Sequence, residues 1–226
     1  MFSVVIPLYN EEENINPLIN EIVYHLDTYK NYEIILVNDA STDNTENNIK
    51  KLNIKNLKIL KNHTNSGQSF SIHRGVLNSF YDTIVTIDGD GQNNPSDIPV
   101  LLDQFFNNDE VKLIGGIRIK RQDNFIKIYS SIIANSIRSR ILNDDCKDTG
   151  CSLKVFDKNI FLEFPYFDGI HRFLPSLFKG FGYKTIFLPV QHRGRKFGQS
   201  KYGTFNRLFK GIRDIIKVYK IINKKT

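Results

Sequence analysis

The sequence predicts an α/β domain: a mostly parallel sheet with helices on both faces. Three observations predict it. Residues 3–115 alternate short β-branched apolar runs with stretches of helical spacing. Each apolar run ends in a polar, turn-forming cluster, as strands of a parallel sheet do at their carboxyl ends. Hydrophobic residues make up 40% of the 226, enough for one sizeable core.

The elements follow in order. Residues 3–8 read as a strand. From Ile15, the set Ile15, Leu18, Ile19, Ile22, Val23 and Leu26 recurs at helical spacing. Tyr32 to Val37 is a strand, and Thr42 or Asp43 is expected to cap the helix after it. Leu57 to Leu60 is a third strand, followed by a turn at Gly67 and a helix to about Ser79. Thr83 to Ile87 is a fourth. Ser96 is expected to cap a helix whose core side is Ile98, Leu101, Leu102, Phe105 and Phe106. Val111 to Gly115 closes the run. The domain is expected to span residues 1–203, with a basic amphipathic helix over 204–226.

Composition narrows the function. The net charge is +7, and the excess of Lys and Arg lies after Lys112. Basic charge attracts phosphate in nucleotides, nucleic acids or an anionic membrane surface. Nucleic-acid binding is disfavoured, because no aromatics interleave with Lys and Arg along a strand face. No apolar run reaches the roughly 20 residues that span a bilayer, and the first residues lack the basic flank of a secretory leader. Cys146 and Cys151 are too few for a disulfide framework or a zinc site and read as reduced cytosolic thiols. A phosphate-binding Gly-x-x-x-x-Gly-Lys-Ser/Thr loop and a dinucleotide-binding Gly-x-Gly-x-x-Gly turn are both absent.

The chemistry concentrates at the strand ends. Pro7-Leu8-Tyr9-Asn10-Glu11 ends the first and Asn38-Asp39-Ala40-Ser41-Thr42-Asp43 the second. Asn65-Ser66-Gly67-Gln68 follows the third, and Asp88-Gly89-Asp90-Gly91-Gln92 ends the fourth. Ligands of open α/β sheets bind in this crevice. Two carboxylates one residue apart on a glycine turn can aim at one point. That suits a hard divalent cation, Mg²⁺ or Mn²⁺, completed by water and substrate phosphate.

These motifs resemble the inverting glycosyltransferases of family 2, which have the GT-A fold. Within that family the chain is most similar to the polyprenyl-phosphate sugar transferases of dolichyl-phosphate mannosyltransferase type. The resemblance covers roughly residues 2–205. It includes Gly116-Ile117-Arg118, Asp148-Thr149-Gly150-Cys151-Ser152-Leu153-Lys154, and the basic loop from Pro189 through Arg195 to Lys201. Asn38 and Ala40 stand where the family often has Asp and Gly. The resemblance implies that Pro7, Tyr9, Glu11 and Asp39 hold the nucleoside of a nucleotide sugar, with Gln68 lying along it. It implies Asp88, Asp90 and Gln92 as metal ligands, Arg118 and Arg195 as phosphate grips beside the catalytic Asp90, and Lys201 in substrate binding.

Breaking a sugar–phosphate bond leaves a diphosphate whose charge a metal can stabilise. Arginine adds charge-assisted contacts. An acceptor lipid phosphate, with a second pKa near ~6, needs positioning more than a base. A sugar-hydroxyl acceptor, as in polysaccharide synthesis, would need a carboxylate base. Asp148 is the candidate, with Asp144 and Asp145 nearby; Asp148 can equally cap the turn before Gly150. Residues 124–142 and 205–223 each set isoleucines and aromatics against Lys and Arg. Such helices either lie in an anionic membrane interface or pack on a core with a solvated basic face. The expectation is a protein peripheral to the cytoplasmic membrane face, taking a nucleotide sugar and a polyprenyl phosphate, and no nucleic acid.

Overall fold

A computed structural model describes residues 1–119, 135–194 and 204–224, the last helix by its backbone alone over 204–210. Strands are β1 Phe2–Leu8, β2 Tyr32–Asn38, β3 Leu57–Lys61, β4 Thr83–Thr86, β5 Val111–Ile119, β6 Lys154–Asp157 and β7 Lys184–Gln191. Helices are α1 Ile15–Leu26, α2 Thr45–Lys50, α3 Gln68–Leu77, α4 Asp97–Phe106, α5 over 135–142, α6 Lys158–Glu163, α7 Leu174–Gly180 and α8 Thr204–Asn223.

The strands form one seven-stranded sheet in the order β3-β2-β1-β4-β6-β5-β7. All pairs are parallel except those of β6, which runs antiparallel between β4 and β5. The carboxyl ends of β1 to β5 therefore share one edge with the amino end of β6. The order reverses at β1, where β2 lies on one side and β4 on the other. This is the switch point at which such sheets open a crevice.

Alternation along β1 divides the core. Phe2, Val4, Ile6 and Leu8 face one layer, with Ile15, Ile19 and Ile22 of α1 and Ile98, Leu101 and Leu102 of α4. Val5 faces the other, with Ile72 and Val76 of α3, Phe156 and Leu177. That second layer also takes Val218 of α8, beside part-buried Ile215, Ile221 and Ile222. Gly75 lets α3 approach the sheet, since a Cβ there would lie 2.4 Å from Val5 Cγ1. Both cysteines are buried thiols, and burial pushes the Cys146 thiol up to about 11, so it stays protonated and inert.

Three sequence expectations are corrected. Asn44, not Thr42 or Asp43, is the N-cap residue of α2; Asp43 instead accepts the Thr45 N–H through Oδ1 at 2.9 Å. Ser96 stands at the N-cap of α4 but makes no side-chain cap bond. Asn94 Oδ1 accepts the Ser96 N–H from two residues upstream. Phe106, the last residue of α4, is exposed rather than core, while Phe105 beside it packs against the core. The amphipathic stretch 124–142 is described only from residue 135.

Candidate active site at the carboxyl edge of the sheet

Backbone and side-chain hydrogen bonds knit the first strand-end loops together. Asp39 N–H donates to Leu8 O at 2.8 Å, and Asn10 N–H donates to Ser41 Oγ at 3.0 Å. Asn10 Oδ1 accepts the Thr42 N–H at 2.8 Å, while Glu11 N–H donates to Thr45 Oγ1 at 2.8 Å. Asn38, standing where Asp is common, accepts the Ser41 N–H at 3.0 Å. Pro7, which lacks an N–H, lies beyond the last β1–β4 pair, Val5–Thr86.

Asp39 is buried and heavily used. Its Oδ1 accepts from Asn62 Nδ2 at 2.7 Å and Ser66 N at 2.9 Å, and its Oδ2 from Gly67 N at 2.7 Å. It thus fixes the loop that starts α3. Ala40 beside it has φ +55°, in the left-handed region. A non-glycine residue there costs on the order of 1 kcal/mol. Ala40→Gly is expected to raise stability by about 1 kcal/mol, read as a higher urea midpoint; an unchanged or lower midpoint contradicts this.

The acidic pair follows β4. Gln68 Nε2, from the first residue of α3, donates to Asp88 Oδ1 at 2.6 Å. Asp90 Oδ1 accepts the Gln92 N–H at 3.1 Å. Gly89 between them passes so close to β1 that a Cβ would lie 2.3 Å from Leu8 Cδ2 and 3.1 Å from Pro7 O. Burial and the Asp90 charge push Asp88 up to about 7, opposed by the Ser152 hydroxyl and the charges of Lys154 and Arg118. Among the described residues no cluster of three or more His, Cys, Asp or Glu forms. Two carboxylates that repel each other at the mouth of a crevice fit a hard cation that draws its remaining ligands from water and phosphate.

Three further elements enclose the pair. Lys154 opens β6 directly opposite Thr86, is buried, and donates through Nζ to the Cys151 carbonyl. Thr86 Oγ1 donates to Ser152 O at 2.7 Å, and Ser152 Oγ to Asn93 Oδ1 at 2.6 Å. Arg118, at the end of β5, is held by Asp148 through Nε at 2.8 Å and Nη2 at 2.7 Å. Finally, Gln92 meets the late basic loop: Arg193 N–H donates to Gln92 O at 2.8 Å, and an isolated bridge joins Asn93 to His192. Arg193 itself turns to Glu21 and Asn94.

The fold therefore gathers Pro7, Tyr9, Glu11, Asp39, Gln68, Asp88, Asp90, Gln92 and Arg118 on one edge. The Gln92 side-chain amide lies toward Arg193 O, 3.5 Å away. Arg195 and Lys201 lie outside the described residues. Ser152 and Lys154 belong to the Asp148–Lys154 motif quoted from the sequence but had no role of their own there, and Asn93 was not singled out.

The mostly parallel sheet, with an acidic turn at its switch point, is an α/β architecture that agrees with the GT-A fold the sequence motifs resemble. The sequence profile of glycosyl transferase family 2 matches residues 3–164, and the chain belongs to that family. It is 33% identical over 223 residues to dodecaprenyl-phosphate galacturonate synthase of Rhizobium johnstonii, covering 96% of this chain and 65% of that protein. It is 32% identical over 206 residues to undecaprenyl-phosphate 4-deoxy-4-formamido-L-arabinose transferase of Edwardsiella ictaluri, covering 89% and 62%. The chain thus spans a little under two thirds of these curated relatives. Glucosyl-3-phosphoglycerate synthase from Mycobacterium tuberculosis, crystallised with Mn²⁺, UDP and phosphoglyceric acid, superposes with a TM-score of 0.74. The match covers 96% of this chain and 76% of that one at 16% identity, a likeness of fold.

Proposed function

We propose that the chain transfers one sugar from a nucleoside-diphosphate sugar to a polyprenyl phosphate, inverting the anomeric centre, with Mg²⁺ or Mn²⁺ held by Asp88 and Asp90. One observation carries the choice of acceptor. A hydroxyl acceptor needs a carboxylate base within reach of it. Asp144 is buried against Arg138 and Asp148 is held by Arg118, while Asp145 is exposed and faces Lys179 at the surface. The two buried carboxylates are already engaged by guanidinium groups and are poorly placed to take a proton from an acceptor hydroxyl. A phosphate acceptor needs no such base, being largely a dianion at neutral pH with a second pKa near ~6. The relatives' names, both of polyprenyl-phosphate enzymes, support the same reading.

The residues divide the work. Glu11 and Asp39, with Pro7 and Tyr9, border the nucleoside, and Gln68 aims Asp88. When bound, the cation supplies a Lewis acid for the departing diphosphate. Buried Lys154 adds a fixed positive charge beneath it. Arg118, and by resemblance Arg195 and Lys201, grip phosphate. Gly89→Ala is expected to displace the acidic pair, because overpacking of this kind costs ~1–3 kcal/mol. Mn²⁺ affinity should fall by ~10-fold or more; calorimetry showing wild-type affinity contradicts that.

Membrane contact is assigned to the outward faces of two helices. On α8, Ile212, Ile216 and Tyr219 are exposed beside Arg213, Lys217 and Lys220; on α5, Ile137 and Ile141 are exposed beside Arg140. Such faces suit an anionic interface, here the cytoplasmic one. Among the described residues no helix is long and apolar enough to cross a membrane. Acceptor chemistry is tested by offering a polyprenyl phosphate and the matching polyprenol, which differ only in the nucleophile. Glycosylation of the phosphate alone is expected, whereas transfer to the alcohol or to a glycan would overturn the assignment.

A further inference from the structure

Arg118 is unusual among the basic residues of the site in how completely its position is fixed. Its side chain is 15% exposed and that of Asp148 6%. Asp148 accepts three hydrogen bonds from this one residue: Arg118 N–H at 3.1 Å, Nε–H at 2.8 Å and Nη2–H at 2.7 Å. The Nε–Nη2 edge of the guanidinium is thereby clamped. Because the group is planar and rigid, its end-on edge, Nη1 with the second Nη2 hydrogen, is directed away from Asp148. Arg118 lies near the carboxyl end of β5, on the same sheet edge as the acidic pair and separated from β4 by β6 alone.

Gly150 completes the arrangement. A Cβ there would lie 2.8 Å from Arg118 Nη2 and 3.5 Å from Asp148 Oδ1. Gly150 is not among the glycines with positive φ, so its backbone does not require glycine. The requirement is space for the guanidinium.

We propose that Asp148 and Gly150 are positioning residues for Arg118: the carboxylate holds the guanidinium by one edge, the glycine leaves room for it, and the end-on edge so aimed binds a phosphate group. That phosphate belongs either to the lipid acceptor or to the nucleoside diphosphate. The inference rests on the phosphoryl chemistry of the proposed function for its ligand. It also gives Asp148 a role other than general base. A long side chain loses entropy when it binds phosphate, and a clamp that has already ordered it reduces that loss.

The test compares wild type with Gly150→Ala, Asp148→Asn and Arg118→Ala. Binding is measured by calorimetry with farnesyl phosphate in one arm, and with UDP or GDP plus Mn²⁺ in the other. The pH dependence of kcat is recorded for each active variant. Gly150→Ala is the decisive variant, because its added Cβ meets the guanidinium and no backbone atom, so the fold is expected to be retained with Asp148 intact while the clamped group is displaced. All three variants are expected to weaken the same phosphate probe by about 10- to 100-fold, and the arm that weakens identifies the phosphate. The kcat profile of Asp148→Asn should keep both its limbs. The proposal is overturned if wild type binds neither probe, or if Gly150→Ala binds both like wild type. It is also overturned if Asp148→Asn alone loses a limb of the pH profile, the mark of a base. Phosphate binding that depends on Gly150, with no sugar transferred to any acceptor, would uphold the clamp and refute the proposed reaction.

Discussion

Asp90→Ala is expected to lower sugar transfer by about 10³-fold without unfolding the protein. A bound divalent cation stabilises a departing diphosphate by several kcal/mol, and each ~1.36 kcal/mol is tenfold in rate. Asp90 is half-buried on the turn after β4, outside both hydrophobic layers, and its Oδ1 accepts the Gln92 N–H at 3.1 Å. The substitution also takes away the charge that, after burial, helps push Asp88 up to about 7, and it leaves Asp88 as the single carboxylate of the turn. Two readouts separate site from fold: the thermal midpoint should stay close to wild type, and Mn²⁺ affinity should fall. Full activity in Asp90→Ala would remove the acidic pair from the chemistry.

Asp144→Ala is expected to be the most destabilising single change in the acceptor-side region. Asp144 is fully buried and Arg138, on α5, nearly so. Asp144 pairs with Arg138 Nη1 and accepts from Ser176 Oγ of α7 and from Cys146 N–H. Arg138 also donates to the Cys146 carbonyl. This network ties α5 and α7 to the turn that presents Asp148. Removing one partner of a buried pair leaves the other charged and desolvated, a cost of about 3–5 kcal/mol. For a chain of this size that lowers the thermal midpoint by roughly 10 °C. Asp144→Asn, which can still accept a hydrogen bond, should fall between. A loss under about 1 kcal/mol in Asp144→Ala would mean that Arg138 reaches solvent when its partner is gone.

The first half of the fold was legible because its physics is local. β1, β2, β4 and β5 contain apolar runs bounded by turn residues, and α1 shows its buried face at helical spacing through Ile15, Leu18, Ile19 and Ile22. The acidic pair was legible too, since Asp88 and Asp90 follow directly from β4. β6 was not: four residues, Lys154–Asp157, carry no usable period, and their insertion between β4 and β5 is decided by pairing with strands some 70 and some 40 residues earlier in the chain. Lys154 was quoted as part of a motif but without a role of its own, because only the register opposite Thr86 brings it to the edge that carries the acidic pair.

The helix cap at Asn44 was missed because Asp43 bonds the first turn from outside it, which looks the same in sequence. Asp148 was left open between base and turn cap. Its partner Arg118 comes from a different strand, and no spacing encodes that pairing. Asp39 shows the opposite case: its place in the crevice was expected, but not that its carboxylate also holds the loop before α3.

The central claim is metal-dependent transfer of a sugar to a lipid phosphate, and one experiment bears on all of it. Purified protein is given a short polyprenyl phosphate, a panel of labelled nucleotide sugars and Mg²⁺ or Mn²⁺, with EDTA in a parallel series, and label is counted in the organic phase. The account predicts lipid-phase label from one nucleotide sugar, lost with EDTA and restored by excess metal. Label that reaches the lipid equally with EDTA would contradict the role of Asp88 and Asp90. Label that stays in the aqueous phase with every donor would contradict the acceptor.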